Sequence, residues 1–251
     1  MRRALFTAVV VAVFAPILHA QKQLQLACAA DLEPVIPTLA AEYQRATGVH
    51  LVTSFGSSAT LAQQLSNGAP QDVFLSADTA HPQQLVAAGV ALGPVTPYAH
   101  GVLVLWARND SPLQPISLNT LKSPRLTRLA IANPTHAPYG LAAQQALQHM
   151  GLYTQLQTKL AIAENIGQTA QFAESGNAQA GLISLTIASS AHFRQLGRFV
   201  PIPPDAYSPI QQAGVILKSS QHQQLARQFL DWLTSPAIQH QLHSFGLDPA
   251  R

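Results

Sequence analysis

Apolar residues along this chain come in short runs, separated by stretches in which they recur at helical spacing, the alternation of buried strands with amphipathic helices. Residues 24–29 form the first run, and the helical spacing of Leu39 and Tyr43 behind it stops at Gly48. Val49, Leu51 and Val52 open a second run that leads into a Gly-Ser-Ser-Ala-Thr turn at 56–60 and a helix predicted over 60–65. A Gly-Ala-Pro-Gln-Asp turn then returns the chain to an apolar run at 73–75, followed by a helix over 82–88 that Gly89 ends. The Pro/Gly-rich segment 93–101 precedes a buried strand over 102–107, and a polar, Pro-rich stretch fills 108–124. Further strands are predicted at 129–132, 181–185, 199–202 and 212–217, and helices over 139–150 (stopped by Gly151), 223–233 and 236–243.

Strands alternating with helices predict an α/β fold. A strand-rich block, a second block and a return to the first predict a discontinuous two-domain layout, with crossings near 98–101 and 208–213. The 251 residues suffice for one large domain or two modest ones, and 47% hydrophobic against 10% charged residues excludes a disordered chain. Residues 1–20 carry the pattern of a secretory signal: Arg2 and Arg3, an apolar stretch over 4–14, and Ala20 before Gln21 as the cleavage point. That stretch is short for a membrane span, which weighs against the rival reading as an uncleaved anchor. Without Arg2 and Arg3, 12 basic residues face 11 acidic ones, so the exported chain is nearly neutral and has no basic stripe for nucleic acid. The single cysteine, Cys28, excludes an internal disulfide; its apolar surroundings predict a buried thiol rather than a lipidation site.

Candidate chemistry concentrates at 55–78. Ser57 and Ser58 stand at the predicted start of a helix, where unpaired N–H groups and the helix dipole either take a side-chain cap or attract an anion. The segment contains no Lys or Arg, so an anion there would be held by neutral donors. Elsewhere there is no G-x-S-x-G elbow, no H-E-x-x-H, no cysteine pair and no phosphate-loop Gly-Lys-Ser/Thr, which argues against an enzyme. His240 and His243 lie one helical turn apart and are predicted to be exposed polar residues.

The strings FGSSATLAQQL and GAPQDVFLSAD, with AADL at 29–32, LAIANPTHAPYG at 129–140, AENIGQ at 163–168 and AGLISLT at 180–186, closely resemble the periplasmic molybdate-binding proteins of ABC importers. The resemblance implies a two-lobed periplasmic binding protein fold of type II. Each lobe would be a mixed sheet flanked by helices, joined to the other by two crossover strands, with the ligand in the cleft. Lobe I would comprise 21–99 and 210–251, and lobe II 100–209. The implied function is binding of molybdate and tungstate and their delivery to an ABC permease of the inner membrane, by a monomer in the periplasm, with no cofactor and no catalysis.

The ligand set implied by the resemblance is Asp31, Ser58, Tyr139, Ile166 and Ser184. Ser58 would donate through Oγ and N–H, and Tyr139 and Ile166 through backbone N–H; Ser58 and Ile166 would touch the oxygens of molybdate, with no direct metal ligation. Asn165 is a lesser candidate. Two positions depart from the family pattern. Asp31 stands where many relatives have Ser. Either its side chain turns away to bond the first turn of the next helix, with Pro34 at N1, and leaves its N–H for the ligand, or it is protonated and donates. Ser184 stands where some relatives carry a Tyr donor. Further closure of the lobes, a bridging water or the Tyr139 phenol would then make up the reach.

Hydrogen bonds to a charged group contribute about 1.5–3 kcal/mol each, so five to seven neutral donors, less desolvation and closure, leave roughly −8 kcal/mol, micromolar affinity. Asp31 as an acceptor would admit a protonated oxyanion, which keeps sulfate, phosphate or chromate open as the ligand. An amino-acid ligand would call for an Arg among the cleft loops, which have none, and a regulator's sensing domain would need a DNA-binding module where this chain has its export signal.

Overall fold

The structure is a computed structural model that describes residues 22–250, so the predicted signal segment lies outside the described residues. The chain begins β1 (Gln23–Ala29), α1 (Ile36–Thr47), β2 (His50–Gly56), α2 (Ser58–Ser66), β3 (Val73–Ser76), α3 (Ala80–Ala87) and β4 (Ala91–Gly101). After one residue, β5 (Leu103–Arg108) opens a second sheet, followed by β6 (Leu129–Ala132), α4 (Pro138–His149), α5 (Tyr153–Leu156), β7 (Leu160–Ala163), α6 (Ile166–Glu174), β8 (Ala180–Ser184), α7 (Leu185–Ala188), α8 (Ala191–Leu196) and β9 (Gly197–Pro201). The chain then returns through β10 (Ile210–Leu217), α9 (Gln223–Leu233), α10 (Pro236–Ser244) and β11 (Leu247–Pro249).

The strands form a six-stranded sheet in the order β11-β4-β10-β3-β1-β2 and a five-stranded sheet in the order β7-β6-β8-β5-β9. Both are mixed: β1 pairs parallel with β2 and β3, and β10 closes antiparallel on β3 and β4. In the second sheet β6 runs parallel to β7 and β8, while β5 is antiparallel to β8 and β9. This is the expected α/β architecture of two lobes with flanking helices.

Alternate side chains of a strand face opposite sides of a sheet, and β1 shows how that fills lobe I. Leu24, Leu26 and Cys28 pack with Tyr43 of α1, Phe229 of α9 and Leu242 of α10, whereas Ala27 faces Leu61 and Leu65 of α2 on the other side. Lobe II has one core, in which β5 and β6 pack against Ala146 and Leu147 of α4 and Ala170 of α6. Ala29, Ala30 and Ala77 of lobe I belong to that same core, so the lobes meet through buried apolar contact. Gly48 ends α1 in the left-handed region, at φ 74°, which a side chain would resist.

Several local expectations are corrected. The Pro/Gly-rich 93–101 is part of an eleven-residue strand, and β7, α6 and β11 carried no sequence signal strong enough to predict them. Pro34 is not at N1: α1 starts at Ile36, Pro37 occupies its second position, and a 3-10 turn (Ala30–Leu32) precedes it. No helix among the described residues is long and apolar enough to cross a membrane.

Candidate functional site

Strands β1, β2, β3, β6 and β7 all end on the same gap between the lobes, at the carboxyl edge where open α/β sheets carry their ligands. A small cavity of about 10 Å³ lies there, room for the centre of one water-sized molecule. Its walls are the Ala29–Asp31 turn, Gly56–Ser58 at the start of α2, Ala77, Ala137–Tyr139 at the start of α4, and Asn165–Ile166 at the start of α6. Three helices therefore point their N-termini at one point. Neither Lys nor Arg lines the cavity.

The donors in these first turns are divided among distinct tasks. In α2, Ser57 is the N-cap and its Oγ accepts the Thr60 N–H at 3.2 Å, while the Ala59 N–H reaches across to the His136 carbonyl at 3.1 Å. Ser58, the first helical residue, has no intrahelical partner for its N–H. Its hydroxyl is 1% exposed and accepts the Ala77 N–H at 3.1 Å, which leaves the hydroxyl proton for donation. In α6, Asn165 caps through Oδ1 to the Gln168 N–H at 2.9 Å, and Ile166 begins the helix. The α4 N-terminus has no side-chain cap; Pro138 at N1 carries no N–H, which makes Tyr139 its first donor.

Asp31 is fully buried, and its carboxylate does not bond the first turn of α1. Oδ2 accepts Gln212 Nε2 at 2.6 Å and the Tyr139 hydroxyl at 3.2 Å, while Oδ1 has no partner among the described residues. Burial pushes this carboxyl up to about 7, against the opposing pull of the Gln212 and Tyr139 hydrogen bonds. The Tyr139 phenol is thereby engaged by Asp31 and by Gln212 at 3.2 Å, and burial and the neighbouring Asp31 push its own ionisation well above the usual tyrosine range. In this arrangement its proton is directed at Asp31.

Asp31, Ser58, Tyr139 and Ile166 are thus brought together on one cavity, and Ser184 is not among its walls. Ser184 is buried as the N-cap of α7, and its hydroxyl pairs with Thr186 Oγ1 at 2.8 Å, as donor because the Thr186 proton is used elsewhere. Thr186 in turn donates to the Asp31 carbonyl at 2.7 Å, which places Ser184 behind the turn that forms the cavity wall.

Sequence reasoning missed the residues that join the lobes. Gln212 is fully buried in β10, and a glutamine at the head of an apolar strand was the available signal. The pairing of Thr60 with Glu164, hydroxyl to Oε1 at 2.8 Å, spans the lobes and has no signal in a linear pattern. The Thr60 hydroxyl, with His136 behind it, holds the Glu164 carboxyl below the usual range. His240 and His243 are exposed, and Asp248 of β11 faces His243 at 3.5 Å with both side chains exposed. No cluster of His, Cys, Asp and Glu among the described residues is composed to hold a metal ion. Cys28 is buried and free, and burial raises its thiol far out of the reactive range.

The family model for bacterial extracellular solute-binding proteins matches residues 24–248. The molybdate-binding protein of Azotobacter vinelandii is 34% identical over 225 residues, 89% of each chain. That of Rhodobacter capsulatus is 34% identical over 221 residues, covering 88% of this chain and 86% of the relative. The solved periplasmic molybdate-binding protein of Azotobacter vinelandii superposes with a TM-score of 0.84 over 89% of this chain and 98% of its own. A sulfate-binding protein of Mycobacterium tuberculosis superposes with a TM-score of 0.77 at 16% identity, a likeness of fold alone.

Proposed function

Since the chain belongs to the bacterial extracellular solute-binding proteins, and within them to the molybdate-binding family, we propose that it binds molybdate, and tungstate with it, in the cleft between its lobes and delivers it to an ABC permease in the inner membrane. The observation that carries this reading is the convergence of three helix N-termini and the Ser58 hydroxyl on a cavity without Lys or Arg. Such a site suits a fully deprotonated tetrahedral anion, because every wall donor finds an acceptor and no ligand proton is left without one.

In this reading lobe I (21–99 and 210–251) supplies Ser58 through Oγ and N–H and Asp31 through its N–H. Lobe II (100–209) supplies the Tyr139 and Ile166 N–H groups. Ser184 acts at one remove, by holding Thr186 against the Asp31 turn. The anion enters an open cleft, bridges the lobes and is buried as they close. The protein is a binder rather than a catalyst, works as a monomer in the periplasm and needs no cofactor. The buried Asp31 carboxyl in the cavity wall favours one second reading: a side-chain acceptor there would admit a protonated oxyanion such as phosphate.

Calorimetric titration of the exported chain with molybdate, tungstate, sulfate, phosphate and chromate at two pH values tests the proposal. Micromolar or tighter binding of molybdate and tungstate with sulfate excluded is the expected result. Failure to bind molybdate, with binding of phosphate instead, would overturn it in favour of the second reading.

A further inference from the structure

Besides the Thr186 bond to the Asp31 carbonyl and that of Ser189 to the Phe245 carbonyl, two further sets of hydrogen bonds join the lobes, one buried and one exposed. One is the buried floor, where Tyr139, Asp31 and Gln212 meet beside the crossover strands: a Cβ built on Gly101 of β4 would come within 2.2 Å of the Tyr139 hydroxyl. The other is a solvent-facing rim. There the Ser57 hydroxyl donates to Thr60 Oγ1 at 2.7 Å, the Thr60 hydroxyl to Glu164 Oε1 at 2.8 Å, and His136 Nδ1 approaches both Glu164 oxygens at 3.2 Å. The Ala59 N–H to His136 carbonyl bond runs beside them. Neither Thr60 nor Glu164 is part of the cavity wall.

The rim is built for closure and not for contact with the ligand. Thr60 sits in the first turn of α2, two residues after the Ser58 donor, and Glu164 directly precedes the Asn165 cap and the Ile166 donor of α6. A bond between them draws together the two helix N-termini from opposite lobes. Opening the cleft must break it, and the carboxylate then stands at the mouth in the path of an incoming anion. In the closed form the same charge is occupied by a hydroxyl and an imidazole.

We propose that Thr60 and Glu164 form a rim latch, a pair of positioning residues that set how long the closed lobes retain the anion without touching it. This rests on the anion-binding reading above. The latch acts on release: its loss accelerates dissociation, while entry is unchanged or, without the carboxylate at the mouth, somewhat faster at low salt.

The test is stopped-flow measurement of molybdate association and dissociation for the wild type and for Thr60→Val, Glu164→Ala, the double variant and Thr60→Ser. Binding by the wild type is established first, so that a failed anion site is told apart from a failed latch. Expected are a three- to tenfold rise in the dissociation rate for Thr60→Val and for Glu164→Ala. The double variant should be no faster than the worse single one, because both remove one bond. Thr60→Ser, which keeps the hydroxyl, should stay within about twofold of wild type, with association in every variant within about threefold. Unchanged dissociation in both single variants, multiplicative effects in the double variant, or a Thr60→Ser that releases as fast as Thr60→Val would each overturn the latch.

Discussion

Replacing Asp31 by Asn removes the one carboxyl buried between the lobes while keeping its shape. In the folded chain burial raises this carboxyl from 3.8 to about 7, and its buried titratable neighbours Cys28, Tyr98 and Tyr139 are all pushed upward and stay neutral. Between those two values the folded state holds a proton that the unfolded state has released, so stability is greatest below the lower one, falls as pH rises toward 7, and is level above it. At about 1.4 kcal/mol per pH unit the whole interval amounts to about 4 kcal/mol. An Asn at this position still accepts from Gln212 and Tyr139 through its carbonyl, and it has no charge to desolvate. Urea unfolding of both proteins from pH 5 to pH 8 measures the effect, and groups that titrate identically in both cancel in the difference. The stability of Asp31→Asn relative to wild type should climb with pH and level off near pH 7, by about 3 kcal/mol over this range. A difference that stays constant over this range would refute the reasoning, since Asp31 would then be ionised in the folded chain throughout.

The same ionisation gives molybdate affinity a pH dependence. Above about 7 a carboxylate in the cavity wall faces the anion, so the dissociation constant should rise by up to about tenfold per pH unit in calorimetry between pH 6 and 8.5, and Asp31→Asn should abolish the trend. Ser58→Ala deletes the hydroxyl but keeps the N–H, and its molybdate affinity should fall by roughly 10- to 100-fold, the worth of one hydrogen bond to a charged group; unchanged affinity would remove Ser58 from the site. Gly101→Ala places a Cβ at 2.2 Å from the Tyr139 hydroxyl and 3.1 Å from Gln212 Nε2, so thermal melts should show a loss of about 1–3 kcal/mol.

What the sequence disclosed and what it withheld divide along physical lines. The helix Gln223–Leu233 was legible because it is amphipathic, with Ala226, Phe229, Leu230 and Leu233 buried and Gln224, Arg227, Gln228 and Asp231 exposed. The tetrapeptide LAIA occurs twice, and only one copy was legible. At Leu129–Ala132 it is a central strand with every residue buried, while at Leu160–Ala163 it is an edge strand with Ile162 48% exposed. The two copies pair with each other in register, Leu129 with Leu160 through Ala132 with Ala163, so identical local chemistry leads to different environments set by the sheet alone. Strand β4 was hidden by Pro94 and Pro97, which a strand tolerates at bulges and free edges. Its register against β10 shifts twice, and β11 covers only its last residues, Ala99–Gly101. At the site, the first turn of α2 was legible because a local Ser-Ser motif builds it, whereas Tyr139 and Ile166 were named only through the family resemblance. The Asp31–Tyr139–Gln212 floor and the Thr60–Glu164 rim were not legible, since each joins residues that only the docking of two lobes brings together.

Cys28 lies in β1, flanked by β3 and β2, fully buried, and it is the only thiol of the chain. Lobes that swing about their crossovers leave it sealed, because β3 stands between β1 and the crossover strands β4 and β10. A thiol-specific reagent is therefore a stopwatch for the fraying of that sheet: slow labelling counts excursions in which lobe I itself comes apart, and it is blind to every opening and closing of the cleft. Ligand turnover and breakdown of the fold can thus be timed separately in one untagged sample, with no engineered probe.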